Sequence, residues 1–388
     1  MTMSLGTMPS AWKRGEARPG DCGVRIMSVI ASLAESGGAE MLARNLSLEY
    51  ARRGHDCCIA YLADAGSLGA SRDFEHGFME QMDAAGIGRT MLGAATRRNP
   101  LLGAWRLRRA IRTFRPDVLH VHLGWGLLFG VLGLVRVPTI YTHHNIVIKF
   151  DPRLFRLFDQ MVSRYVAICR PCHALLARHV SRPIVDIANG VPADRFEARL
   201  RTRIPHDLSV LSVGNLTAQK DYPTLLAAAR RVSAHFLDQG RRIVFRIAGE
   251  GSERPALEAA IAAAGLGGVV ELLGARRDVS GLMAEADLMV QCSRFEGLPI
   301  ALIEAAMSAL PAVATDVGGC AEVVVHGETG LLVPPGDGQA LAAAILDALA
   351  GDARYAAMSY AAQRRAERFT LAECADAHLR LYEEVARG

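Results

Sequence analysis

A chain of 388 residues, 51% of them hydrophobic, is too long for one ordinary core and suits two domains of roughly 150 to 200 residues each. That composition excludes a disordered protein, and the lack of any run of about 20 apolar residues excludes a membrane-spanning helix. The net charge of +4 is divided unevenly, with 26 Lys/Arg against 17 Asp/Glu in residues 1–199 and 18 against 23 in residues 200–388, so only the first half suits an anionic surface.

Residues 1–22, with Pro9, Lys13, Arg14, Arg18 and Pro19, hold no apolar run long enough for a signal peptide and are expected to be a disordered leader or a misassigned start. From there strands and helices alternate. Strands are predicted over 25–33, 57–62, 118–122, 139–143, 165–168 and 184–187, with helices over 41–51, 100–114 and 154–162. After Pro205 the pattern restarts, with strands over 209–213, 244–248, 269–273, 288–291 and 312–314 and helices over 222–233, 253–264 and 300–309. Three further helices, 339–349, 355–369 and 371–385, close the chain. Such alternation predicts an α/β protein with two doubly wound parallel sheets. The expected division is a 1–22 leader, a 23–195 domain, a 196–370 domain and a 371–388 helix free to cross back, with a ligand cleft between the two domains.

Gly37-Gly38-Ala39-Glu40 follows the first strand and opens a helix, a place where free backbone amides suit a phosphate or simply make a turn. In the 100–116 segment, Leu101, Trp105, Leu107, Ile111 and Phe114 alternate with Arg106, Arg108, Arg109, Arg112 and Arg115. The apolar side is expected to cover a sheet, and the arginines to meet acidic lipid head groups or a phosphate-linked lipid acceptor. His120 and His122 share a face of one strand, and Tyr141-Thr142-His143-His144-Asn145 ends the next, so imidazoles and an amide collect at one edge. Without an acidic cluster or a D-x-D arrangement, these are expected to be neutral donors toward sugar or phosphate, not metal ligands. Of the eight cysteines, Cys169 and Cys172 have the spacing of half a zinc site or a redox pair, but no second pair follows, and buried free thiols in a reducing cytoplasm are expected.

In the second half, Gly214-Asn215 ends a strand and Lys220 stands where a helix begins, a position unfavourable for a cation unless it is solvated or faces an anion. Gly249-Glu250-Gly251 ends the next strand. The densest signal is Phe295-Glu296-Gly297-Leu298-Pro299-Ile300-Ala301-Leu302-Ile303-Glu304, which places Glu296 on a loop, Pro299 at a first helical position and Glu304 more than a turn inside an apolar helix. A carboxylate among Ala301, Leu302, Ile303, Ala305 and Ala306 is poorly placed unless something satisfies it. The cluster lies after parallel strands, where open α/β sheets bind ligands.

Taken in order, Gly37-Gly38, Asn189-Gly190-Val191, Gly214 with Lys220, Gly249-Glu250-Gly251, the E-x7-E pair Glu296 and Glu304, Gly318-Gly319 with Glu322, and Gly330-Leu331-Leu332-Val333 resemble the retaining glycosyltransferase family 4 from about residue 25 onward. The resemblance implies a GT-B fold with two Rossmann-like domains, the second holding a nucleotide diphosphate sugar. By that resemblance, Glu304 holds ribose hydroxyls. Glu296 with the backbone of Gly297, Leu298 and Pro299 holds the sugar and distal phosphate, Lys220 neutralises the diphosphate, the Gly38 loop contributes from the first domain, and His143 touches the transferred sugar. His144 and Asn145, with the arginines, fall on the acceptor or membrane side. The family's usual arginine is replaced by Asn215, which shifts diphosphate stabilisation toward Lys220 and backbone amides.

The implied reaction is retaining hexosyl transfer, front-face and without a covalent nucleophile, metal or cofactor. The implied acceptor is a lipid-linked or other glycan, as in lipopolysaccharide or exopolysaccharide synthesis, met in the cytoplasm at the inner membrane face. Nucleic acid is not an expected partner. A UDP-sugar is favoured over GDP-mannose by frequency in the family alone. A nucleotide-sugar isomerase, a phosphorylase-like enzyme and a non-catalytic sugar-binding or scaffold protein remain as alternatives.

Overall fold

The computed structural model describes residues 23–33, 37–68 and 72–387, and the predicted 1–22 leader lies outside them. The chain forms two compact units. One comprises the chain up to Ala167, His173–Ile187 and the chain from Ala375, while the other comprises Ile168–Cys172 and Ala188–Cys374.

The first unit holds strands β1 (Arg25–Ser32), β2 (Asp56–Ala63), β3 (Gly88–Met91), β4 (Val118–Val121), β5 (Thr139–His143), β6 (Val162–Ala167) and β7 (Ile184–Asp186). They make one parallel sheet in the order β3-β2-β1-β4-β5-β6-β7. Every residue of β4 and β5 is buried, as expected of central parallel strands covered on both faces. The short β3 and the Gly124–Leu132 helix escape sequence reading, the first for want of length and the second because glycine and continuous apolarity hide any period. The predicted 154–162 helix shrinks to Phe155–Phe158, since Val162 already belongs to β6.

The second unit holds β8 (Leu208–Val213), β9 (Ile243–Ala248), β10 (Val270–Gly274), β11 (Leu288–Gln291), β12 (Ala312–Thr315) and β13 (Gly330–Val333). These form a parallel sheet in the order β10-β9-β8-β11-β12-β13. One face packs Leu208, Val210, Val290, Val313 and Leu331 against Leu225, Ala229 and Val232 of the Tyr222–Leu237 helix and Leu341 and Ile345 of the Gly338–Ala348 helix. In each sheet the strand order reverses at one point, between β1 and β4 and between β8 and β11. Loops leaving the two strands at such a point part to opposite faces and open a crevice.

A buried cation staples the second unit. Arg201 is 5% exposed and its guanidinium donates to the carbonyls of Arg199, Met283, Ala286 and Ser308, with no carboxylate among them. Met283, Ala286 and Ser308 lie at the ends of the Val279–Glu285 and Ile300–Met307 helices, where carbonyls lack intrahelical partners and the dipole favours positive charge. Burial lowers its pKa to about 10, still ionised at neutral pH. We expect Arg201→Met to lower the stability of this unit by about 3 kcal/mol in urea denaturation, because several buried acceptors lose their donor at once. An unchanged midpoint would refute the staple.

Candidate active site

At the crevice of the second unit, β8 runs into Gly214, Asn215 and a single 3-10 turn, Ala218–Lys220, while β11 runs into Cys292-Ser293-Arg294-Phe295-Glu296. The two loops are tied together. Arg294 N–H donates to Gln219 O at 2.8 Å, Gln219 Nε2 to Phe295 O at 2.9 Å and Cys292 Sγ to Lys220 O at 3.1 Å. Across this lacing Lys220 Nζ donates to Glu296 Oε1 at 2.6 Å, and Ser293 Oγ donates to the same oxygen at 2.6 Å. Sequence reading gave Lys220 and Glu296 separate tasks, but the fold makes them one charge pair, with side chains 18% and 9% exposed. An ammonium has three N–H donors, so Glu296 fixes the direction of Lys220 and leaves two for another anion.

Glycines let these loops approach. A Cβ on Gly214 would meet Lys220 Cε at 2.8 Å, so the lysine stem lies flat on this glycine. Gly318, at φ +55°, leaves room for the carbonyl of Glu296, and Gly319 N–H donates to Gly297 O at 2.7 Å. Gly249 and Gly251 pass directly over the carbonyls of Gly214 and Leu216. The loops after β8, β9, β11 and β12 are thereby one assembly, and it gathers Gly214, Lys220, Gly249, Gly251, Glu296, Gly297 and Leu298.

Pro299 caps the Ile300–Met307 helix from outside (φ −73°, ψ 110°); it is not the first helical residue, because its carbonyl already accepts from Leu302 and Ile303 while its own backbone is extended. Glu304 then falls on the fifth residue of the helix. Its carboxylate is partly buried and has no hydrogen bond or ion pair among the described residues, and burial raises its pKa to about 7 with only Arg195 opposing. A lone buried carboxylate is costly, which marks it as a group awaiting a donor. Asn215 is exposed, and its side chain makes no hydrogen bond among the described residues.

Three contributors escaped the sequence reading as site residues. Ser293, fully buried, shares Glu296 with the lysine and is visible only as an S-x-x-E spacing. Arg294 stands mostly exposed on the same loop, its guanidinium 3.3 Å from the carboxylate of Asp221, the residue after Lys220. Asn189, 3% exposed, donates its amide to Leu298 O at 3.3 Å and so pins the Gly297–Pro299 turn.

The remaining candidates lie in the first unit. Gly38 is exposed at the start of the Gly38–Arg52 helix. His143 ends β5, is 4% exposed and has Nδ1 3.1 Å from Tyr141 Oη, and burial holds its pKa near 4. His144 follows it, with Asn145 next, and pairs with His122 at 2.9 Å. Among the described residues no group of three or more His, Cys, Asp or Glu is arranged to hold a metal.

On the Pro100–Phe114 helix the apolar face is narrower than expected. Gly103, Ala104, Leu107, Ala110 and Phe114 are buried, but Leu101 and Trp105 are 69% and 57% exposed. They sit a turn apart, in line with Arg108 and Arg112, and the Arg109 guanidinium lies over Trp105. Arg106 turns inward instead and donates to Leu92 O, because that flank packs on the segment after β3. Arg108, Arg109, Arg112 and Arg115 remain exposed.

A model of glycosyltransferase family 4 matches residues 36–195 and one of glycosyl transferases group 1 matches residues 194–365. The amylovoran biosynthesis glycosyltransferase AmsK of Erwinia amylovora is 30% identical over 281 residues, covering 66% of this chain and 67% of that protein. The D-inositol 3-phosphate glycosyltransferase of Thermobispora bispora is 28% identical over 324 residues, 74% of this chain and 76% of that one. Among solved structures, Anabaena HepE in complex with UDP-glucose superposes with a TM-score of 0.78 at 21% identity, over 93% of this chain and 100% of that one. Two parallel Rossmann-like sheets with this loop assembly define a GT-B glycosyltransferase. The chain belongs to glycosyltransferase family 4.

Proposed function

We propose that the protein transfers a sugar, with retention of anomeric configuration, from a nucleoside diphosphate sugar to a hydroxyl of a lipid-linked or other glycan acceptor in envelope or exopolysaccharide synthesis. The observation that carries this reading is the Lys220–Glu296 pair at the switch point, followed on the next helix by a Glu304 carboxylate with no partner among the described residues. Lys220 and Arg294 offer positive charge where a departing diphosphate gathers negative charge, and charge met only in the transition state speeds the reaction. Glu296, already held by two donors, positions the lysine and accepts from sugar hydroxyls. Glu304 accepts from the ribose. No side chain is assigned as a covalent nucleophile, and the departing phosphate takes the acceptor's proton.

Neither metal nor cofactor enters this mechanism, since Lys220 fills the role a divalent cation otherwise has at a diphosphate. Chelation with EDTA should therefore leave turnover unchanged. A UDP-sugar is favoured over GDP-mannose, in line with the UDP-glucose bound in HepE, and AmsK's part in amylovoran synthesis supports a polysaccharide product. A calorimetric panel of UDP, GDP, ADP and their sugars tests the reading. Binding of one nucleoside diphosphate and its sugar is expected, and no binding by any of them would sink it.

Membrane attachment belongs to the same proposal. No helix among the described residues is long and apolar enough to cross a membrane. Trp105 and Leu101, flanked by Arg109 and Arg112, nonetheless combine the apolar wedge and positive charge that an anionic bilayer surface binds. Replacing Trp105 with Ala and both arginines with Glu should abolish sedimentation with phosphatidylglycerol vesicles while nucleotide affinity stays level. Equal sedimentation would remove the membrane from the proposal.

A further inference from the structure

The first unit carries a second polar cluster that the donor chemistry does not use. His122 follows β4 and His144 follows β5, its sheet neighbour, and His122 Nδ1 lies 2.9 Å from His144 Nε2 with the rings nearly parallel. The outer nitrogen of each ring, His122 Nε2 and His144 Nδ1, is buried and has no hydrogen-bond partner among the described residues. Buried polar atoms are rarely left so, and two at the carboxyl edge of one parallel sheet mark a place where a ligand completes the bonding.

The chemistry of that ligand follows from the pair. Burial, and the other histidines His143 and His378, keep both rings neutral, with His144 held down to about 3, and no carboxylate opposes this. Two neutral imidazoles sharing one hydrogen bond have two arrangements. If His122 Nδ1 donates, both rings carry their proton on Nδ1, so the outer edges offer an acceptor at His122 and a donor at His144. If His144 Nε2 donates, both carry it on Nε2 and the outer roles exchange. Either way the pair presents one donor and one acceptor. A hydroxyl has both complements. A phosphodiester or carboxylate, which only accepts, would face a lone pair and receive no positive charge.

We propose that His122 and His144 form a hydroxyl-binding subsite that takes a neutral sugar rather than an anionic head group. As a statement about the acceptor it rests on the transferase reading. His122 is the new member, and the pair narrows the class: the acceptor end met here is a polyol, with any phosphate of a lipid carrier lying elsewhere. Behind the pair, His120 Nε2 meets Thr142 Oγ1 at 2.7 Å and His120 Nδ1 meets Tyr382 Oη at 2.6 Å, so the ring that packs on His122 is itself held in place.

Full-length protein labelled with 15N-histidine tests this, with resonances assigned through His122→Asn and His144→Asn, or the glutamine variants should either fail to fold. We expect two neutral rings protonated at like-named nitrogens. Methyl α-D-glucopyranoside, galactopyranoside or mannopyranoside should shift the His122 Nε2 and His144 Nδ1 resonances, and dimethyl phosphate, a diester without an O–H, should leave them in place. Unlike tautomers, resonances that no glycoside moves, or a larger response to dimethyl phosphate each overturn the proposal. The second result would mean that these nitrogens hold buried water alone. No nucleotide enters this readout, so calorimetry with nucleotide sugars on the same sample judges the transferase reading separately: glycoside shifts without nucleotide binding would leave the subsite standing and the donor assignment fallen.

Discussion

Nucleotide-sugar affinity should rise about tenfold per pH unit up to pH 7 and level off above it, and Glu304→Ala should lose both this dependence and about 3 kcal/mol of binding, near 100-fold. The cause is the pKa of about 7 that burial gives the carboxyl of Glu304 in the free protein. Ribose hydroxyls bond best to the ionised form, so below pH 7 binding must expel a proton, and each unit of acidity weakens it by up to the proton's own factor of ten. Calorimetry in buffers of different ionisation enthalpy would report that released proton directly. The same group has an opposite effect on folding. A carboxyl raised in the folded state from 4.5 to about 7 lowers stability as pH climbs through that window, because the unfolded chain ionises first. Glu304→Gln should accordingly be more stable than the parent at pH 8 and bind donor poorly. A flat pH profile with the parent's affinity retained in Glu304→Ala would remove the ribose role.

The fold was most readable where the chain makes a fully buried central strand. Val118 to Val121, Thr139 to His143 and Leu288 to Gln291 announce themselves because central parallel strands are apolar on both faces. Gly88–Met91 did not, since an edge strand of four residues with Arg89 and Thr90 lacks any such run. In the candidate site, glycine spacing and the two glutamates pointed to loops that the fold brings together in the second unit. What spacing cannot report is which side chains meet across strands far apart in sequence. The Lys220–Glu296 pair joins residues 76 apart and depends on β8 and β11 being neighbours, and the Asn189–Leu298 contact joins residues 109 apart. Trp105 misled for a related reason. An aromatic at helical spacing usually marks a packed face, but here Gly103 and Ala104 occupy the contact, because a side chain at Gly103 would collide with the Phe129 ring, and the tryptophan is left outside.

Lys220→Met should lower kcat by about 10³-fold, near 4 kcal/mol, the upper range for removing one preorganised donor from a developing anion. It should also lower the stability of the second unit by about 3 kcal/mol, since Glu296 would stay buried with Ser293 as its remaining donor. These two losses have separate causes, and a second substitution divides them. Lys220→Met with Glu296→Gln removes the stranded charge, so stability should return to within about 1 kcal/mol of the parent while turnover stays low. If Lys220 only held the loop together, the double variant would turn over as fast as Glu296→Gln alone, which keeps the lysine. Gly214→Ala approaches the same point without touching charge, because the new methyl group occupies the space of the lysine stem, 2.8 Å from Cε, and must push the ammonium off its line. Its expected signature is a reduced kcat with nucleoside monophosphate affinity unchanged, since the ribose site on the Ile300–Met307 helix is untouched. Turnover in the double variant equal to that of Glu296→Gln alone would assign Lys220 to structure and leave the diphosphate to Arg294 and the loop amides.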